Sequence, residues 1–381
     1  MKSTSKRFYF DYNATSPLAT SVKDWLTRGE VFFGNSSALH TSGKASLKLI
    51  NETRDYLLKT FGLEKTHQIF FHSGATEGIN TFIRGFLSYN EGTFFCSTVD
   101  HACVFNLQGH LSKTGIATHL FSVSTSGHFD KGRLIQEIKN VKKGPVLLNI
   151  TWVNNETGVV WPLSDIMDIK KETGCFIHLD AVQTIGKIPD WDLIPTEIDA
   201  LTYSGHKFGA LTGAGFSFVR KGIHFEPLLF GGGQQDGWRS GTVNLYGIYS
   251  LKLALEEYVS KTDVALSLQA RRSIEEKIKN ILKDKGEIAC ENSDRSCNTL
   301  TLIVKGKKSD SMLMSFDMAG IDVGTGAACS SGIVRPSRVL SNMGFSEEDA
   351  RSSIRLSFGP DLKDNDEEYA SQLEKVLQRF I

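Results

Sequence analysis

The chain reads as an α/β protein built on a largely parallel sheet, and three observations predict it. Between residues 60 and 220 short apolar runs alternate with helical stretches, the pattern of strand–helix units wound around a parallel sheet. Most of these runs end in small or polar residues, so chemistry is expected at the strand ends, where open α/β sheets hold their ligands. The 381 residues exceed one simple core and are enough for two domains.

Phe8–Pro17 reads as a short strand breaking into a polar turn in which Asn13 and Thr15 are candidates to face a ligand or simply to make the turn. Ser42–Phe61 is expected to be a helix, with Ser42 as N-cap, Leu47, Ile50, Leu57, Leu58 and Phe61 on its apolar face and Gly62 as its stop. The run Ile69-Phe70-Phe71 ends in Ser73-Gly74-Ala75-Thr76 before an amphipathic helix. That arrangement aims backbone N–H groups and a helix dipole at a phosphate, although plain βα loops resemble it. A strand over Thr93–Val99 ends at Asp100-His101, and another in Pro145–Gly158 ends in Asn154-Asn155-Glu156. Asp180 closes a third at Phe176–Leu179, where a buried carboxylate needs a cationic partner or serves as a helix cap.

Ala200–Phe218 is the most informative stretch: an apolar run, then Tyr203-Ser204-Gly205-His206-Lys207, then glycines. A lysine between a buried strand and glycines suits an amine of lowered pKa that forms a Schiff base with an aldehyde cofactor; a surface turn carrying an ordinary lysine fits equally. Gly213–Arg220 is one more strand. Gly231–Gln235 and Arg239–Thr242 make a glycine-rich, partly basic loop. Gly247–Gly286 is mostly helical. Beyond it come a strand at Thr299–Val304, a helix at Ser311–Met318 stopped by Gly320, and a small-residue loop over Gly324–Gly332 with Cys329 at its centre. Helices at Ser337–Met343 and Glu347–Ser353, a strand at Ile354–Ser357 and a helix at Asp366–Phe380 close the chain.

Lys plus Arg and Asp plus Glu both number 43, with no basic face of the kind that nucleic acids require. The six cysteines show no CxxC and no regular framework, which fits reduced thiols in a cytoplasmic setting. No apolar run approaches the ~18 residues of a membrane helix, and no signal-peptide core precedes Phe8.

Nine segments in order resemble the cysteine desulfurase family, within the class V aminotransferase group of pyridoxal-phosphate enzymes. They are FDYNATSP, SGATEGIN, DHACV, VNNETG, HLDAVQTIGKIP, SGHKFGALTGAGF, GGGQQDGWRSGT, GAACSSG and ARSSIRLSFG, which run from residue 10 to 359. The resemblance implies a fold-type-I architecture. A large domain over 14–255 would hold a mostly parallel seven-stranded sheet, and 1–13 with 256–381 would form a smaller α/β domain carrying the cysteine loop. It implies pyridoxal 5'-phosphate on Lys207, with Asp180 pairing the pyridine nitrogen, Gln183 the phenolic oxygen and His101 stacked on the ring. Ala75, Thr76, Ser204 and His206 would hold the phosphate, and Thr242 would reach the phosphate of a partner subunit in a homodimer. Asn155 and Arg355 would grip the carboxylate of L-cysteine, with Asn13 lining the substrate site. Cys329 would take the sulfur as a persulfide, release alanine and pass the sulfur to an acceptor or scaffold protein for iron–sulfur cluster assembly or tRNA thiolation. The spacing from Cys329 to Arg355 resembles the long-loop group. A selenocysteine lyase or another class V enzyme is the alternative, and Cys329 argues against an aminotransferase. Tyr12, Ser36 and Ala327 stand where the family commonly has Asn, Pro and Ser.

Overall fold

The computed structural model describes residues 7–29, 33–326 and 335–381. Phe8–Phe10 (β1) is the first strand. The central sheet is built from His67–His72 (β2), Thr93–Ser97 (β3), Thr118–Phe121 (β4), Val146–Thr151 (β5), Phe176–Asp180 (β6), Ala200–Ser204 (β7) and Gly215–Arg220 (β8). These seven strands lie in the order β2-β8-β7-β6-β5-β3-β4. Only β8 runs antiparallel to its neighbours; the other pairs are parallel. The expected mostly parallel, seven-stranded sheet is present.

Its strands are apolar without alternation because helices cover both faces. Phe71, Phe95, Leu148, Leu179, Tyr203 and Phe216 enter one hydrophobic core. Their neighbours Phe70, Phe94, Leu147 and Val219 enter a second, with Phe82 and Phe86 of the helix Ala75–Asn90. Successive residues thus serve opposite faces, as the two-residue repeat of a strand requires.

A smaller antiparallel sheet follows, from Gly286–Ile288 (β9), Thr299–Val304 (β10) and, after Ile321–Val323 (β11), Ser353–Ser357 (β12), in the order β12-β10-β9. β1 pairs in parallel with β11. A third core gathers Phe10 with Ile274 and Ile278 of the helix Val264–Leu282, Leu302, Ile354, and Leu373 and Leu377 of the helix Leu362–Leu377. The N-terminal strand therefore packs with the last third of the chain.

Several local expectations shift. The helix expected from Ser42 spans Thr41–Thr60, and His40 caps it by accepting from the Gly43 N–H. Leu47 is exposed, and the buried face instead uses Ser46, Leu49, Ile50, Thr53 and Leu57. The stretch 247–286 is two helices, Leu245–Lys261 and Val264–Leu282. The helix Thr20–Thr27 and the strands β4, β9 and β11 carry too little periodicity to be read beforehand. No helix among the described residues is long and apolar enough to cross a membrane.

Candidate active site

The C-terminal ends of β3, β5, β6 and β7 open onto a cavity of about 510 Å³. Asn13, Ala75, Thr76, His101, Asn155, Asp180, Gln183, Ser204, His206, Lys207 and Arg355 all line it. Two predicted residues are not among them. Thr242 is exposed and lines a separate recess of about 200 Å³ with Gln235 and Arg239. Cys329 lies outside the described residues, although Thr325 and Gly326, on the segment leading to it, do line the cavity. Tyr12 turns away from the cavity and packs on Tyr9 and against Gly359.

Lys207 ends the short turn Gly205–Lys207 that follows β7. The turn is tight: a Cβ on Gly205 would lie 2.5 Å from a Leu251 methyl. The Lys207 amine donates to two backbone carbonyls, Asn13 O and Ala14 O, each at 2.7 Å. Burial first, and Arg355 second, bring its pKa down to about 8. Asp180 closes β6 beside Thr151 and Thr202 of the adjacent strands. Its carboxylate is buried, receives the Val182 N–H at 3.1 Å, and is pushed up to about 7 by burial. A buried carboxylate so thinly partnered favours a cation in the space before it.

At the cavity's other end the helix Ala75–Asn90 begins at Gly74 with no side chain capping it. Its first N–H groups are left for an anion. Glu77, in the first turn, also lines the cavity, and its carboxylate is occupied by the Arg239 guanidinium at 2.8 Å and the Ser73 N–H at 2.9 Å. His206 bonds Thr15 through Nδ1, and Ser204 lies buried at the end of β7.

His101 caps the helix Ala102–Lys113: the Cys103 N–H donates to its Nδ1 at 3.2 Å, and the Cys103 Sγ lies 3.1 Å from the same atom. Nδ1 is therefore an acceptor, so the proton sits on Nε2. Burial, Lys207 and Arg338 hold the ring's pKa at about 4, which keeps it neutral.

Arg355 on β12 brings the smaller sheet to the cavity. It pairs with Asp11 at 2.6 Å and donates to Asn155 O at 3.2 Å, while its buried Nε has no partner. A Cβ on Gly324 would fall 2.5 Å from Asp11 Oδ1 and 2.6 Å from Arg355 Nη2, so the ion pair requires glycine there. Glu156 accepts from Ser337 at 2.5 Å and lies where a side chain on Gly326 would have to go.

Asn13 is the hub of the site. Its carbonyl accepts from Lys207 and Gln183, and its Oδ1 accepts from Asn298 and Lys187. Its Nδ2 donates to Asn155 O and Thr299 Oγ1. Asp11 and Lys187 were not singled out from the sequence. Both lie inside the quoted segments, beside residues that were.

Beneath the cavity a row of buried polar side chains crosses six strands. Asp100 accepts from Ser97, Thr151 and Asn149. With its Nδ2 committed there, Asn149 accepts through Oδ1 from His178 Nδ1 at 2.7 Å. Burial holds His178 neutral, with its pKa at about 3, so Nε2 accepts from Thr202 at 2.8 Å. Ser217 must then donate to Thr202 and accept from His72 Nε2. Every donor in the row points toward Asp100.

These features fit a phosphorylated aromatic aldehyde with a basic ring nitrogen: a half-buried amine of lowered pKa, a carboxylate lacking a cation and an uncapped helix end enclose one cavity. The class V aminotransferase family model matches residues 8–369. A cysteine desulfurase of Cereibacter sphaeroides is 35% identical over 360 residues, covering 92% of this chain and 90% of its own. The cysteine desulfurase IscS of Dictyoglomus turgidum is 31% identical over 389 residues, with coverages of 98% and 95%. The solved NifS-like protein of Rickettsia africae superposes with a TM-score of 0.86 at 27% identity, over 97% of this chain and 99% of that one. The family uses pyridoxal phosphate. The chain belongs to the cysteine desulfurase family, in the long-loop, NifS-like group of class V aminotransferase-related enzymes.

Proposed function

We propose that this cavity removes sulfur from L-cysteine, yielding alanine and a persulfide on Cys329 that is passed to an acceptor protein. The observation that carries the reading is the placement of Lys207, Asp180 and His101 around one cavity whose far end is an open helix N-terminus. Pyridoxal phosphate, when bound, supplies an electron sink that labilises bonds at the substrate's α- and β-carbons.

The chain's own groups do the rest. Lys207, with a pKa near 8, is substantially neutral at mildly alkaline pH and available for imine chemistry. Asp180 would pair with the ring nitrogen and favour its protonated form, a cation that would relieve the buried carboxylate. The N–H groups of Ala75 and Thr76, with Ser204 and His206, would hold the phosphate. His101, a neutral imidazole with its proton on Nε2, would stack on the ring. Arg355 binds the substrate carboxylate as a fork, aided by Asn155. Cys329 is the nucleophile toward the substrate sulfur.

The same reading makes the protein a homodimer in which Thr242 serves the partner's cavity, which accounts for its place outside this one. It also divides the chain into 14–255 and 1–13 with 256–381, a division supported by the separate core around Phe10 and Leu302.

The deciding experiment is mass spectrometry of Cys329 after exposure of the cofactor-loaded protein to L-cysteine. One added sulfur atom is expected, with alanine released. Cys329→Ala should keep the cofactor's colour and lose turnover by on the order of 10³-fold or more. Full turnover in that variant would exclude the persulfide route.

A further inference from the structure

Lys187 is among the largest fully buried side chains of the molecule, at 2% exposure. Its amine donates to Gln183 Oε1 at 2.5 Å and to Asn13 Oδ1 at 3.2 Å. Both acceptors are neutral, and among the described residues no carboxylate pairs with it. A buried amine without a counter-anion is costly, and burial brings its pKa down to about 7. Its backbone is fixed as well: the Lys187 N–H donates to Thr184 O, and its carbonyl accepts from the Cys297 N–H at 2.8 Å.

The consequence falls on Gln183. A carboxamide has an oxygen that only accepts and a nitrogen that only donates. Lys187 occupies the oxygen, and Gln183 Nε2 places one N–H on Asn13 O at 3.0 Å. The second N–H remains for the cavity that Gln183 lines. Flipping the amide would set its N–H groups against the protonated Lys187 amine and its oxygen against the Asn13 carbonyl, so both contacts oppose the flip.

We propose that Lys187 is a positioning residue for the reaction: from behind the cavity wall, together with the Asn13 carbonyl, it biases the Gln183 carboxamide to offer an N–H rather than its oxygen to the cofactor's phenolic oxygen. This rests on the proposed pyridoxal-phosphate site. A donor there stabilises the phenolate form of the ring oxygen, and a freely flipping amide would present its acceptor oxygen part of the time. Lys187 touches neither cofactor nor substrate and acts only through Gln183, and through Asn13 on the loop that also receives Lys207.

The test is a double-mutant cycle on the holoprotein with Lys187→Met, Gln183→Ala and the pair. It reads the visible absorption maximum of the bound cofactor and the dissociation constant for rebinding pyridoxal phosphate to the apoprotein. Lys187→Met should shift the band and weaken binding about tenfold, the worth of one directed hydrogen bond. In the Gln183→Ala background it should add less than about twofold and leave the band unmoved. Equal effects in both backgrounds, or a wild-type band and affinity in Lys187→Met, would overturn the proposal. Should Lys187→Met not fold, Gln183→Glu keeps the lysine contact and replaces the donor with an acceptor. It should weaken binding at least as much, and unchanged affinity would overturn the proposal there too. A wild-type protein that binds no pyridoxal phosphate defeats the site assignment itself, a different outcome from binding without coupling.

Discussion

Lys207 rests on two backbone carbonyls instead of a paired carboxylate, and burial with Arg355 outweighs the pull of Asp11 and Asp180 on its proton. Trapping of Lys207 in the apoprotein by an aldehyde and borohydride, read by mass spectrometry, should rise with a midpoint near pH 8. A midpoint near the ordinary lysine value of 10.5 would contradict the environment described. Asp180 makes the opposite demand. Its folded value of about 7 lies above the unfolded 3.8. The penalty for its ionisation is therefore absent below about pH 3.8, grows as pH rises and is complete above about 7. Asp180→Asn should stabilise the apoprotein at pH 8, by on the order of 1–4 kcal/mol, and leave it unchanged near pH 3.5, as melting curves at the two pH values would show. The same variant should lose turnover once loaded with cofactor. Arg355→Lys forfeits the fork and should raise KM for cysteine about ten- to a hundredfold with a smaller change in kcat.

The helix Ala75–Asn90 meets the sheet so closely that its own sequence is constrained. A Cβ on Gly78 would stand 2.3 Å from His72 Nε2, the atom that donates to Ser217. Gly78→Ala should cost about 1–3 kcal/mol in denaturant unfolding, since the ring cannot retreat without breaking the row it starts. The placement of such elements was legible in advance because each joins an apolar run to a polar turn within a dozen residues. Asp180, His101 and Lys207 were read from that pattern, and all three line the cavity. The pairings that orient them were not legible. Asp11 and Arg355 are 344 residues apart, and Lys187 meets Asn13 across 174. No local periodicity reports such a contact. The cap at His40 was missed for a related reason: its ring accepts the Gly43 N–H as a serine would, yet histidine is not among the preferred capping types.

At the scale of the molecule, the cavity joins parts that fold around different cores. Lys207 and Asp180 come from the central sheet, while Arg355 comes from the sheet packed with Phe10. The seven-stranded sheet was foreseeable from its alternating units. The packing of β1 with β11 is non-local, and its register could not be read. Phe33, Leu39 and Phe230 stand 77%, 88% and 80% exposed in the single chain, and the proposed dimer is expected to cover apolar surface of this kind. Sedimentation of the purified protein should give twice the chain mass of 42.1 kDa, and a strictly monomeric species at micromolar concentration would count against the shared site. The polar row under the cavity carries one last consequence. Its hydrogen bonds run one way, and inverting them would require turning each hydroxyl and swapping both imidazole tautomers in concert. Passing a proton along such a row would upset every bond in it, so the groups that touch the ligand itself are the ones expected to exchange protons during turnover.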